Sequence, residues 1–336
     1  MDKTVIFAVA GSGKTTHIVN SLSCEKRSLV VTYTIANYEN LHRKILQKFS
    51  GVWPKNVVLM RYFSFLYSFC YKPFLADDIK ARGIIYECNQ NRYARQNEKN
   101  YYLTKNGYLY SNRISLLLDV AHAIGDVQDR ISKYFDELII DEVQDFAGRD
   151  FSFLEKLMDT NVDQLFVGDF YQHTFDTSRD GNVNGKLFES KTRYEKRFTD
   201  KGFVCDNTSL TYSWRCSLDV CQFITDNLGI PIYSNRGEAD NTRIMLLNDP
   251  EQIKQVITDS DTVKLHYQKG ALFGDNHYNW GEMKGEDKYQ DVCIYLNKTS
   301  AKAYKTGKLS MLKPATRNKL YVAITRAHGN VYFVNE

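Results

Sequence analysis

The chain's pattern predicts an α/β fold of parallel sheets arranged in two halves. Three observations predict it. Short β-branched apolar runs alternate with segments of helical period, the rhythm of strand–helix–strand units. The first run, Val5–Val9, ends in Ala10-Gly-Ser-Gly-Lys-Thr-Thr16, a turn of small residues that opens a helical segment. After an interruption, a second strand–helix series begins near Asn207.

Composition limits the alternatives. At 336 residues, with 43% apolar and 25% charged residues, the chain reads as soluble and globular, with length for two domains. No window approaches the roughly 18 apolar residues that span a bilayer. The first strand starts almost at once, leaving no room for a leader, so a cytoplasmic protein is expected. The seven cysteines form no C-x-x-C pair, which favours neither a disulfide framework nor a zinc site. A net charge of +4 does not by itself announce a nucleic-acid binder.

In order, Ser28–Thr34 reads as a buried strand and Ala36–Gln47 as a helix with Leu41 and Ile45 on one face. Asn56–Met60 is the next strand and leads into an aromatic helix around Phe63–Phe69. Residues 72–130 break the rhythm as an insertion. Within it, Tyr101–Tyr110 reads as a β-hairpin turning at Asn106-Gly107. Arg92, Arg95, Lys99 and Lys105 lie among its tyrosines, which suits either a single-strand platform or a solvated hairpin. The α/β series resumes with Glu137–Asp141, a helix near Asp150–Met158 and the strand Gln164–Gly168. Lys186–Lys201 reads as a charged connecting helix with Phe188, Tyr194 and Phe198 on one face. In the second half the expected strands are Ser209–Tyr212, Thr242–Leu247, Thr262–Leu265, Asp291–Leu296, Lys319–Val322 and Asn330–Val334. Helices are expected near Asp219–Asn227 and Pro250–Thr258.

Two motifs carry chemistry. In Ala10–Thr16, Gly11 and Gly13 leave backbone N–H groups open to phosphate oxygens, and the following helix points its positive dipole end at the same anion. Ala10, Gly11, Ser12, Gly13, Lys14, Thr15 and Thr16 are the candidate triphosphate-binding residues. Lys14 supplies a mobile charge, and Thr15 a hydroxyl for Mg²⁺. Ala8 stands where the usual pattern has its first glycine. The second motif, Asp141-Glu-Val-Gln-Asp145, closes an apolar strand, where α/β sheets present ligand-facing groups. Asp141 can hold Mg²⁺, and Glu142 can deprotonate the attacking water.

With these residues in place, the chain resembles the superfamily-one helicases of the UvrD/PcrA/Rep type along nearly its full length. Ala10–Thr15 is similar to motif I and Thr32-Tyr33-Thr34 to motif Ia. Asp141–Asp145 is similar to motif II, and Val167-Gly-Asp-Phe-Tyr-Gln172 to motif III. Tyr212-Ser-Trp-Arg215 resembles motif IV, Lys284-Gly-Glu-Asp287 motif V, and Tyr321-Val-Ala-Ile-Thr-Arg-Ala327 motif VI. The resemblance implies two tandem RecA-like P-loop NTPase domains, 1–206 with a small insertion at about 72–130, and 207–336. It implies ATP and Mg²⁺ as cofactors, hydrolysis in a cleft between the domains, and movement along single-stranded nucleic acid, DNA above all, in the 3′→5′ direction. Gln172 would sense the γ-phosphate, Arg215 and Arg326 would neutralise it, and Asp287 would meet the ribose. Thr32, Tyr33 and Thr34 would touch the strand. Phe175 and Trp280 are the candidate base stackers, because the family's stacking segment after Gln172 is replaced here by His173-Thr-Phe-Asp-Thr-Ser-Arg179.

The stretch from motif IV to motif V is filled by core elements, so this is a minimal form lacking the large 2B insertion. A second function class fits the same residues: an ATP-gated nucleic-acid sensor or regulatory subunit working with a partner nuclease or effector, as in phage defence. Neither class calls for a membrane.

Overall fold

A computed structural model describes residues 1–89, 93–174, 182–237, 240, 242–282, 284–285 and 288–336. These fall into two units. The first takes in the described residues of Met1–Ile6, Thr15–Gly168 and Asp176–Asp206. The second takes in those of Phe7–Lys14, Asp169–Phe175 and Asn207–Glu336. No helix among the described residues is long and apolar enough to cross a membrane.

The strands met first along the chain are β1 (Lys3–Phe7), β2 (Ser28–Thr32), β3 (Val57–Arg61), β4 (Gly83–Ile85), β5 (Tyr108–Tyr110), β6 (Glu137–Asp141), β7 (Asp163–Gly168) and β8 (Val204–Asp206). Six of them form one sheet in the order β3-β2-β6-β7-β1-β8. The β2–β3, β2–β6, β6–β7 and β1–β8 pairs are all parallel. Parallel neighbours need crossovers, and helices Lys14–Ser21 and Ile35–Lys48 supply the first two. Leu29, Val30, Val31, Leu138, Ile139 and Ile140 are buried, which is why these strands read as unbroken apolar runs rather than alternating ones.

Helix Ile35–Lys48 starts where the Thr34 side chain accepts the Asn37 amide at 3.1 Å, and it buries Leu41 and Ile45. The aromatic segment is helical from Tyr62 to Leu75, but its middle, Phe65–Tyr71, is wound as a π-helix. Helix Lys191–Thr199 is capped by Ser190 and buries Tyr194 and Phe198.

The expected hairpin is cut down to its turn: the chain reverses at Asn106-Gly107, with Thr104 N–H donating to the Tyr108 carbonyl at 2.8 Å and an antiparallel bridge Leu103↔Leu109. Before it, Lys99–Tyr102 is a single helical turn, and after it β5 pairs in parallel with β4. Adjacent Tyr101 and Tyr102 are both buried in that helical turn. The Arg113 guanidinium lies 3.7 Å from the Tyr101 ring centroid, so this tyrosine is packing material and not an open platform. Arg92 lies outside the described residues.

In the second unit, β9 (Tyr212–Ser213) and β10 (Tyr233–Ser234) form a short parallel pair. Strands β11 (Ile244–Leu246), β12 (Val263–His266), β13 (His277–Asn279), β14 (Val292–Leu296) and β15 (Val331–Asn335) make a five-stranded sheet in the order β11-β15-β14-β12-β13. Its pairs are also parallel. Lys319–Val322, expected as a strand, lies inside helix Pro314–Ile324. Proline at the first helical position is preorganised for a helix start, and an apolar run buried all round has no periodicity to separate helix from strand.

Trp280 is a second correction. Its ring is fully buried in the core of this unit, and its indole N–H donates to the Leu265 carbonyl at 3.1 Å. It has no open face on which a base could stack.

Gly168, the last residue of β7, has no room for a side chain. A Cβ there would lie 2.8 Å from Val143 Cγ1 and 3.0 Å from the Val143 nitrogen. Gly168→Ala is therefore expected to lower stability by about 1–3 kcal/mol, the range of overpacking in close-packed cores, measured by denaturant unfolding.

Candidate nucleotide and nucleic-acid site

The turn after β1 is built for close approach. Gly11 and Gly13 have φ of 70° and 89°, in the left-handed region, and helix Lys14–Ser21 starts directly behind them. Ser12 folds its hydroxyl back onto the Val9 carbonyl at 2.8 Å. Thr15 is half-buried on the first turn of the helix, and the exposed Thr16 accepts from Lys44 Nζ at 2.8 Å.

The loop is held by residues of its own unit. Val9 N–H donates to the Leu210 carbonyl, and Trp214 N–H to the Gly11 carbonyl, both at 2.9 Å. A Cβ on Gly11 would fall 2.7 Å from Arg215 Cβ and from Ser213 Oγ, so the glycine turn packs directly against the Ser213 and Arg215 side chains. Ala10, a candidate triphosphate-binding residue, has its amide engaged elsewhere, donating it to the Tyr321 hydroxyl at 2.9 Å. The reason is physical: Ala10 is fully buried, and a buried N–H takes the nearest acceptor.

The two arginines are anchored at the C-terminal end of helix Pro314–Ile324. Arg215 Nη1 donates to the Thr325 carbonyl at 2.9 Å, and Arg326 Nε to the Val322 carbonyl at 3.2 Å. Terminal carbonyls that lack an intrahelical partner, at the negative end of the helix dipole, favour cations. Arg236 fixes the same corner by donating to the Arg215 carbonyl at 2.7 Å and to that of His328. Cys216, next along the chain after Arg215, is buried. A hydrogen bond from Cys221, then Arg215, Ser213 and Arg326, pull its thiol below the ordinary range against the opposing effect of burial.

Asp169 follows β7 and is fully buried. Its carboxylate accepts from Tyr171 N–H at 3.0 Å and from the Tyr321 hydroxyl at 2.9 Å, shaping the turn Phe170–Gln172.

In the first unit, Asp141 and Glu142 end β6. Asp141 is 2% exposed and accepts the Thr32 hydroxyl at 3.0 Å. Thr32 is thus buried and turned toward a carboxylate, which corrects its expected place on the strand. Glu142 takes a left-handed conformation, φ 54° and ψ 50°, and the Gln144 amide donates to its carboxylate. Among the described residues no three His, Cys, Asp or Glu side chains cluster as a metal cage. Mg²⁺ needs no such cage, since it keeps several waters and phosphate oxygens as ligands; one carboxylate and one hydroxyl, those expected of Asp141 and Thr15, match that chemistry.

Of the residues expected to touch nucleic acid, Tyr33 is half-buried, stacked on Tyr62 at 5.4 Å and edge-on to Phe63 at 5.5 Å. Phe63 in turn meets Tyr86, which is 66% exposed. The Thr34 hydroxyl is engaged as a helix cap. A surface groove beside these residues is lined by Ile35, Tyr38, Glu39, Met60, Arg61 and Ser64. Phe175 and Asp287 lie outside the described residues.

Similar architecture is found in solved structures. The arterivirus nonstructural protein 10 helicase in complex with DNA matches 98% of this chain at 16% identity, with a TM-score of 0.52. The same arterivirus helicase alone matches at 14% identity and the PRRSV helicase at 13%, both with a TM-score of 0.52. The chain has the fold of these helicases. It spans 60%, 59% and 52% of their respective lengths. No protein-family model matches the sequence, and no curated protein does.

Two residues escaped the sequence reading. Tyr321 appeared there only as part of a motif, yet its hydroxyl is shared by Ala10 and Asp169. Trp214, 68% exposed, carries its ring on the residue whose backbone bonds Gly11. An aromatic next to an arginine in Tyr-Ser-Trp-Arg was the available signal. An exposed indole beside a phosphate loop can stack a base. Trp214 emission is therefore expected to change on titration with ATP, and the change should be absent in Trp214→Phe; an unaltered response in that variant would assign the signal to Trp53 or Trp280.

Proposed function

We propose that the protein is a nucleic-acid-dependent ATPase of the UvrD-like superfamily-one kind, which uses Mg²⁺-ATP to move along single-stranded DNA. The observation that carries this reading is the Gly11–Gly13 turn leading into helix Lys14–Ser21 with Arg215 seated against it, in a chain with a helicase fold. Lys14 and the amides of the turn bind the triphosphate. Thr15 and Asp141 would hold Mg²⁺, which supplies neutralisation of phosphate charge when bound. Glu142 takes the proton of the attacking water, and its left-handed backbone is the kind of local strain that clusters at functional sites. Gln172, Arg215 and Arg326 respond to the γ-phosphate. Arginines in that role are worth about 10³–10⁵ in rate where measured.

Tyr33, Tyr38, Arg61 and Tyr86 are the candidate strand contacts, offering rings for bases and a cation for phosphate. The 3′→5′ direction is carried by the resemblance alone.

The direct test titrates single-stranded DNA and RNA into an ATPase assay. DNA-stimulated turnover is expected, and turnover indifferent to both would sink the nucleic-acid motor. Displacement of an annealed oligonucleotide by the isolated protein separates a translocating helicase from an ATP-gated sensor. Glu142→Gln should still bind ATP while turning over at least about 10²-fold more slowly, in line with general-base effects. Near-normal hydrolysis would remove Glu142 as the base.

A further inference from the structure

We propose that Tyr321 is a positioning residue for the hydrolysis proposed above, an inference that rests on that reading. Its hydroxyl locks the phosphate loop to the turn that carries Gln172.

The hydrogen-bond directions follow from chemistry. A phenol has one proton, and the Asp169 carboxylate can only accept, so Tyr321 donates to Asp169 Oδ2 at 2.9 Å. A lone pair is left for the Ala10 N–H, also at 2.9 Å. Burial pushes the phenol well above its usual range, and the negative charge of Asp169 raises it further, so the proton stays on.

From this residue the connections run through its hydroxyl, its ring and its carbonyl, all inside the second unit. Asp169 passes the constraint on: its Oδ1 accepts the Tyr171 amide and its carbonyl accepts the Gln172 amide at 2.9 Å. The Tyr321 ring stands edge-on to Tyr171 at 6.1 Å. In the other direction, the Tyr321 carbonyl accepts the Thr325 hydroxyl at 2.8 Å, and the Thr325 carbonyl receives Arg215. The side chain thus connects the loop to the Gln172 turn, while the main chain of the same residue carries the seat of Arg215.

The test is Tyr321→Phe, which keeps the ring and removes only the hydroxyl. It is expected to lower kcat about tenfold or more, with the KM for ATP within about threefold of native, as when reacting groups are misplaced and not lost. Asp169→Asn, which cannot accept the phenol proton at the nitrogen, should give a similar loss. The double variant should be no worse than the poorer single, because both break one linkage. A kcat within twofold of native in Tyr321→Phe would overturn the proposal, as would losses that add in the double variant. If Tyr321→Phe does not fold, native kcat in Asp169→Asn overturns it equally. Native protein with no ATP turnover would sink the parent reading and this one with it; native turnover beside an unaffected variant sinks only the role of Tyr321.

Discussion

Because the paired strands of the six-stranded sheet run the same way, the residues that follow β2, β6 and β7 emerge from one edge of it. The rest of the first unit depends on that directional constraint. Thr32 and Asp141 close adjacent strands and share a hydrogen bond because the β2–β6 register puts their ends together. Chemistry collects at the carboxyl ends of such strands for a reason of topology: the crossover helices occupy the faces and leave that rim open.

Polar groups along the rim are buried, and each needs a partner. The 3₁₀ turn Val143–Asp145 that carries Glu142 is braced from beneath, where the Tyr194 hydroxyl donates to the Val143 carbonyl at 3.3 Å. A non-glycine residue in the left-handed region costs about 1–3 kcal/mol, and persists only where surroundings over-determine it. Gln144, Tyr194 and the bare face of Gly168 provide that over-determination. The catalytic candidates are therefore held by neighbours whose own sequence signal is weak.

Much of the architecture was legible in the residues. Unbroken apolar runs such as Leu29–Val31 and Leu138–Ile140 announced strands covered on both faces, and Leu41 with Ile45 announced an amphipathic helix. What misled were stretches where burial erases periodicity. Leu320–Ile324 is an unbroken buried run in the last turns of its helix, and Tyr101-Tyr102 imitates a strand while packing as a helical turn. Side-chain roles were harder to read, because a motif names residue types without saying which hydrogen bonds are already spent. Ala10 spends its amide on Tyr321, Thr32 its hydroxyl on Asp141, and Trp280 its indole N–H on Leu265.

Gly11 carries a consequence for how this chain can vary. Its missing methyl leaves the room that Ser213 Oγ and Arg215 Cβ occupy. Its backbone angle separately penalises any L side chain. Two constraints, one steric and one conformational, thus fall on one codon. Variation of this contact has to begin from Ser213 or Arg215.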